Sequence, residues 1–450
     1  MLKKHLIYIL LNSCFVLLGI SLSWFGQGYG LIVYLSSLIF LIIQSFNVFN
    51  FRSNYVWFVF SYLILFYISP IFEFIFPGEV LEGSQPSIAL YHFLNISSIH
   101  ILSIFYFIVF RRPAESKLLI NDVKFNRALY IIGSGLLLGT LWMFITIGGF
   151  SAIKSTRVDL KYVQGGKTYS LWMIYFFSSF FFLLGIKLVK IKRNFLYILI
   201  LILIFFVLEF VYFIALRNRT MILMHLTALI IGAFVSKQIV FENTKKNLEE
   251  KVKKIRILPL VGVMAVLAGL GVFIRFARGV YLEGGGELDI SWKEMLITSV
   301  KSGDFGYANM VLNIIDHVYY TDLSLNGQSY YRLLLAFIPE SIYDKRVPTT
   351  DSLIGQMLTG LDVMTIPPGV FGDAYLNFGL LSFFVFIVYG IFLGAIDKSK
   401  NILKAYVFFS LSFTLIYHFV RGSFVNVVLS LVIIYLGVIL TNKLIRPRYI

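Results

Sequence analysis

Arg217, Arg219, Arg275, Arg278, Lys345, Arg346 and Arg421 are the side chains of this sequence best suited to hold an anion. A guanidinium presents a planar fork that meets phosphate oxygens bidentately and stays charged at any physiological pH. Alongside these cations stand groups able to move a proton. Asp373, Glu340, Asp344, His317 and His418 are the acid/base candidates, with Asp316, Asp351 and Asp362 nearby in the chain. A carboxylate within hydrogen-bond reach of a hydroxyl activates it as a nucleophile. Fixed cations stabilise the charge that develops on a departing phosphate. Together these types suit transfer of a group away from a phosphate ester. Metal chemistry is poorly provided for. Glu287-Leu-Asp289 is the outer E-x-D pair, and Asp289 is better explained by the helix start at Ser291, so no metal site and no cofactor is expected.

The elements that must position these residues are membrane helices. The chain has 450 residues, of which 58% are hydrophobic and 14% charged, where a soluble domain carries roughly 25% charged residues. A spanning helix needs about 20 mostly apolar residues. Twelve segments qualify: 5–23, 31–49, 55–76, 89–110, 128–147, 171–187, 195–215, 221–236, 258–275, 374–395, 402–420 and 424–441. The expected fold is an all-α polytopic integral membrane protein, a single domain over 1–450, with one large, mostly helical extracytoplasmic loop at 276–372. The single cysteine, Cys14, excludes an intramolecular disulfide and reads as a core residue of the first helix.

Orientation follows from Lys and Arg in the loops. With the N-terminus inside, 25 of the 39 Lys and Arg fall on the inner side and 14 on the outer. Of the 23 acidic residues, 6 are inner and 17 outer. The net charge of +16 is therefore a topology signal, and no nucleic-acid partner is needed to explain it. Both termini are expected in the cytoplasm. The cations named above are then exceptions that need a reason. Arg217, Arg219, Arg275, Arg278 and Arg421 fall within about two turns of an outer membrane face, where they suit a pyrophosphate whose lipid tail lies in the bilayer.

Within 276–372, Ser291-Trp-Lys-Glu294 matches a capping box, so a helix is predicted there. Others are predicted over 305–320 and from Tyr330 to Ile338, and Thr350-Asp351 opens a short helix that stops at Gly360. Asp373 opens the next membrane helix, shortly after Pro367-Pro-Gly369. His418 and Arg421 are three apart and share a helix face. Glu209, inside a predicted span, faces the bundle interior, where it orients Arg217 or Arg219 or forms a structural pair. His100 and His225 read as hydrogen-bonded interior histidines.

Two patterns carry a resemblance. One is Gly327-Gln-Ser-Tyr330 followed by Phe337-Ile-Pro339 and Asp344-Lys-Arg-Val-Pro348. The other is Pro368-Gly-Val-Phe-Gly-Asp373-Ala-Tyr375-Leu-Asn377-Phe-Gly379. With the layout and the outer arginines, they make the chain similar to the Wzy-type family of O-antigen and oligosaccharide repeat-unit polymerases. The sequence departs from the family's pattern at Glu340, where a basic residue often follows Ile-Pro, and at Asp373, where Glu is frequent. The resemblance implies a glycosyltransferase of the inner membrane that joins undecaprenyl-pyrophosphate-linked oligosaccharides. It further implies the lipid bilayer as surround, and a flippase and a chain-length regulator of the same pathway as partners. An O-antigen ligase using the same donor is the neighbouring reading, and a lipid-linked glycan flippase is the rival from another class. The charge asymmetry yields the first prediction: reporter fusions after Arg256 and Asn326 report cytoplasm and periplasm respectively, and the reverse pair of signals refutes the orientation.

Overall fold

The computed structural model describes residues 2–25, 29–48, 53–110, 118–150, 166–190, 207–208, 211, 220–236, 239–241, 292–301, 307–321, 324–335, 338, 349–360, 366–398, 402–422 and 424–449. Among them, seven helices are long and apolar enough to cross a membrane: Gly30–Asn47, Asn54–Ile75, Gln85–Val109, Asp122–Thr146, Thr168–Val189, Gly369–Asp397 and Val427–Ile445. The count rises to eight if Leu403–Phe413 and Leu415–Arg421, bent by 51°, form one span. His5–Ser21 and Met221–Val235 are shorter apolar helices. The protein is thus a multi-pass helical membrane protein. Of the twelve expected segments, 258–275 and nearly all of 195–215 lie outside the described residues.

The bundle is inverted relative to a soluble domain. Leu10, Leu17, Ile32, Ile39, Leu138 and Val388 are more than half exposed on its outer surface, while Asn12, Ser37, Gln44, Asn95, Ser98 and His100 are wholly buried. Hydrocarbon offers polar groups no partner, so they turn inward, where several of them pair with one another. His100 takes Ser37 Oγ at 2.7 Å and Asn12 Oδ1 at 2.7 Å, tying three helices together. His225 stacks on Phe181 and meets Ser178 Oγ at 3.1 Å. Both are the interior histidines that the sequence suggested. Cys14 is not the expected core residue, because it lies exposed on the outer face of its helix.

Loops gather into two sets. At one end, Leu118–Ile120 pairs in parallel with Ile239–Phe241 and antiparallel with Arg448–Tyr449. This three-stranded ribbon is a small departure from the expected all-α fold. At the same end Asp397 accepts from Ser53, from the side chain and backbone N–H of Asn54, and from the Tyr55 N–H, capping the helix that starts there. At the other end, the loop after Ile75 carries short helices of the 292–360 region. Glu73, buried, accepts the N–H groups of Gly78, Val80 and Leu81 and so shapes this loop. Asn309 bridges Glu82 N–H, the Val80 carbonyl and the Lys301 carbonyl. Lys293–Glu79 and Lys301–Glu82 add exposed ion pairs, of small energetic value. This grouping is the one the charge pattern implies.

The short helices are Trp292–Lys301, Tyr307–Thr321, Gln328–Leu335 and Thr350–Thr359. The last is capped by Thr349 and stops at Gly360 in the left-handed region, one residue from the expected start. One expectation fails in a useful way. The helix predicted from 374 begins instead at Gly369, breaks into a 3₁₀ turn at Gly379–Ser382, and resumes as Phe383–Asp397. Gly369 has φ +73°, and a Cβ there would stand 2.7 Å from Phe66 Cζ. Glycine alone fits both the conformation and the space.

Close helix packing rests on other glycines. A Cβ at Gly232 would lie 2.1 Å from the Phe182 carbonyl oxygen, and one at Gly185 would lie 2.1 Å from that of Leu229. Small residues let these two backbones touch where no hydrophobic effect drives association. We expect Gly232→Leu to cost about 1–3 kcal/mol by overpacking, read as a lower unfolding temperature in detergent. Gly83→Ala, whose new methyl would meet its nearest neighbour at an ordinary 3.4 Å, is the control and leaves that temperature unchanged.

Candidate functional site

The turn Asn326-Gly327 starts the site. Both residues have positive φ, +46° and +79°, which Asn and Gly tolerate best. The turn docks on the C-terminal half of the helix Gly369–Phe378. Leu325 N–H donates to the Leu376 carbonyl at 3.0 Å, and Gly327 N–H donates to that of Asn377 at 3.1 Å. Ser329 Oγ donates to Asn377 Oδ1 at 2.8 Å, and Asn377 Nδ2 reaches back to the Asp373 carbonyl at 2.8 Å. The Gly327-Gln-Ser-Tyr330 part of the first pattern therefore lies on the Asp373-Ala-Tyr-Leu-Asn377 part of the second.

At that contact sits a carboxylate. Asp373 is fully buried, in the second turn of its helix and not at the helix mouth where the sequence placed it, because the helix starts earlier. Asp373 lies close enough to Tyr330 for its charge to bear on the phenol. The Tyr330 hydroxyl also lies 3.1 Å from that of Tyr389, on the resumed helix beyond the break. Burial first, then the neighbouring Tyr389 and Asp373, holds the Tyr330 phenol well above its ordinary range. It thus keeps its proton at neutral pH and acts as a donor. Of the three, Tyr330 alone retains appreciable surface; Asp373 and Tyr389 are buried.

The cation is beside it. Arg421, at the C-terminal end of Ile402–Arg421, donates through Nε to the Tyr307 hydroxyl, and its guanidinium carbon lies 5.6 Å from the Tyr307 ring centroid. Tyr307 opens the helix Tyr307–Thr321 and packs edge-on against Phe66, which in turn meets Phe371. On the other flank, Phe419 of the arginine's helix lies 4.8 Å from Tyr389. The helix Gly369–Phe378 is thus wedged between the arginine's helix and the helix of Tyr307.

Phe66 belongs to a π turn, Leu63–Tyr67, within the span Asn54–Ile75. Its carbonyl accepts from Tyr91 at 2.9 Å and from Asn95 at 2.8 Å. Such turns often occur at functional sites. Here it places Phe66 beneath the Pro367-Pro-Gly369 turn.

The other expected residues are distributed as follows. His418 lies one turn before Arg421, with its ring 5.6 Å from that of Tyr417. His317 is about 15 Å along its helix from Tyr307, ten residues at 1.5 Å each, so it is not part of the Tyr307–Arg421 pair. Its neighbour Asp316 accepts from Ser84 and Ser87 at the start of Gln85–Val109, a structural task. Arg217, Arg219, Arg275, Arg278, Glu340, Asp344, Lys345 and Arg346 lie outside the described residues, as does Glu209. Sequence reasoning missed Tyr307, Tyr330 and Tyr389. Tyr330 had a signal, being the last residue of the Gly327 pattern, whereas Tyr307 and Tyr389 are hidden among 27 tyrosines.

No family model matches the sequence, and no curated protein or solved structure is similar to it. A stability test follows from the arginine pair. Tyr307→Phe removes the hydroxyl and keeps the ring, and is expected to cost roughly 1.5–3 kcal/mol, the range for hydrogen bonds to charged groups. In an Arg421→Met background the same change should cost less than half as much. Equal costs in both backgrounds would show the contact to be energetically idle.

Proposed function

We propose that the chain is a glycosyltransferase that polymerises undecaprenyl-pyrophosphate-linked oligosaccharide units on the outer face of a bacterial inner membrane, with both termini cytoplasmic and 276–372 as the periplasmic cap. The observation that supports this best is the convergence just described. Parts of two patterns some 40 residues apart, 327–330 and 373–377, fold onto each other, and a buried carboxylate and a partly exposed arginine lie at the same end of the bundle.

In this reading the growing glycan on its lipid pyrophosphate is the donor. A hydroxyl of the incoming unit attacks the anomeric carbon, and the bond to the pyrophosphate oxygen breaks, that oxygen taking both electrons. Direct displacement inverts the anomeric centre. Arg421, with Arg217, Arg219, Arg275, Arg278, Lys345 and Arg346, meets the charge on the departing pyrophosphate. The nucleophile's proton is taken up at the Asp373 centre, with Glu340, Asp344, His317 and His418 as the remaining candidates. Fixed cations make a divalent metal unnecessary.

The test is polymerisation by purified full-length protein, in EDTA, of lipid-linked units isolated from cells lacking the gene. Full-length polymer is expected in the chelator. Arg421→Lys should already impair it, because the fork is lost while the charge stays, and Arg421→Ala should impair it more at normal protein levels. Loss of activity in EDTA that magnesium or manganese restores would refute the metal-free mechanism. Full-length polymer from the alanine variants of Arg217, Arg219, Arg278 and Arg421 alike would refute the pyrophosphate site.

A further inference from the structure

Two histidines are buried in the helix Gln85–Val109, and their hydrogen bonds assign a proton to each ring. His100 Nδ1 faces Asn12 Oδ1 at 2.7 Å. The Asn12 amide nitrogen donates to the Tyr8 carbonyl, so Oδ1 is the acceptor and His100 Nδ1 carries the proton. His100 Nε2 then accepts from Ser37 Oγ, which accepts from the Tyr67 hydroxyl. Both nitrogens of that ring are satisfied. His92 differs. Its Nδ1 lies 2.9 Å from the Tyr34 hydroxyl. Asn95 Nδ2 donates to that hydroxyl at 3.2 Å and to the Phe66 carbonyl, which can only accept, at 2.8 Å. The Asn95 amide is thereby fixed, and the Tyr34 proton goes to His92 Nδ1. The proton of the His92 ring then sits on Nε2. A second proton on either ring would place a charge inside the span, which is costly.

Among the described residues, His92 Nε2 has no hydrogen-bond partner, and neither has Asn95 Oδ1. His92 is 5% exposed and Asn95 not at all. They are one donor and one acceptor, three residues apart on one helix face, and both side chains bind the same tyrosine oxygen. His92 lies about 10 Å along the helix from its first residue. Polar groups this deep in a span do not stay unmatched. We infer that His92 and Asn95 form a closed binding site for water, in the half of the bundle that carries the 292–360 helices. The water accepts from His92 Nε2–H and donates to Asn95 Oδ1. The chemistry of the pair selects this ligand. An anion would be repelled by the Asn95 oxygen and a cation by the His92 proton, whereas water both accepts and donates. Phe74, stacked on the imidazole at 5.5 Å, covers one side. The same Asn95 amide holds the Phe66 carbonyl, and Phe66 lies against Gly369. The water therefore completes the polar network beneath the Pro367-Pro-Gly369 turn, whichever reaction the chain performs.

The test is solid-state NMR of the full chain in lipid bilayers at neutral pH, with both histidine ring nitrogens isotopically labelled. Ile99-His100 is the one Ile-His pair in the sequence, so labelled isoleucine carbonyls identify His100. Tyr91-His92 has one counterpart, Tyr417-His418, which His418→Asn removes. His418→Gln serves where the first variant does not fold. The two rings are expected to be opposite tautomers, His92 protonated at Nε2 and His100 at Nδ1. Magnetisation that starts on water should reach His92 Nε2–H early and His100 Nδ1–H late, because Asn12 takes the latter proton. A His92 ring protonated at Nδ1, or at both nitrogens, overturns the site. So does the expected tautomer if its Nε2–H receives magnetisation from water no sooner than His100 Nδ1–H does.

Discussion

Hydrocarbon hydrogen-bonds to nothing, and that constraint governs where every polar atom of this bundle sits. A helix crossing the bilayer satisfies its own backbone, but its side chains must find partners on neighbouring helices. The result is a core laced with short polar contacts: Tyr67 to Ser37 to His100 to Asn12 in one place, Tyr34 to His92 in another. Each such contact is individually modest, averaging about 0.6 kcal/mol in membrane helices. Their joint effect is register, since a helix that slid by one residue would orphan several of them at once. The wall around this core is bare Leu, Ile and Val, and glycines at Gly185, Gly232, Gly390 and Gly437 let backbones meet.

The same constraint explains how a carboxylate survives at position 373. Wholly buried, it would be costly unless compensated. Its polar neighbours include Tyr330, from outside the spanning segment, and Tyr389, just beyond the break. The compensation therefore depends on the docking of a distant turn, fixed by backbone hydrogen bonds from Leu325 and Gly327. Glu73 and Asp397 solve the same problem differently. Glu73, buried, accepts from three backbone N–H groups, Asp397, partly buried, accepts from N–H and hydroxyl donors, and each fixes a loop at one end of the bundle. Those two acids already serve the fold. Asp373 lies near a tyrosine that is only partly buried, which is what separates a candidate for chemistry from a structural anchor.

Much of the architecture was legible because its signals are local or additive. Apolar runs marked the spans, Ser291-Trp-Lys-Glu294 marked a helix start and Gly360 a stop. The excess of Lys and Arg on one set of loops sorted the loops into the two groups that the strand ribbon and the Glu73 loop display. What could not be read depends on partners far away in the chain. The early helix start at Gly369 follows from Phe66 lying against it, some 300 residues upstream, whereas locally Pro-Pro-Gly reads as loop. Tyr389 entered the site by packing, with no mark in its own neighbourhood. The seat of Leu325 on Leu376 was visible only as two separate motifs, with nothing to say that they touch.

The broken helix links these features to reactivity. Had the segment after Pro367 run straight into the bilayer from residue 374, Asp373 would have stood at an open helix mouth, in reach of water. Starting at Gly369 and breaking at Gly379 draws the carboxylate inward by one turn and lets Tyr389, from beyond the break, come back to it. The arginine is treated in the opposite way. Arg421 ends its helix, held by Tyr307 at Nε with partial exposure, where its charge is tolerated. Each charge has a tyrosine neighbour, Tyr307 on the arginine and Tyr330 near the acid, each brought in from another helix.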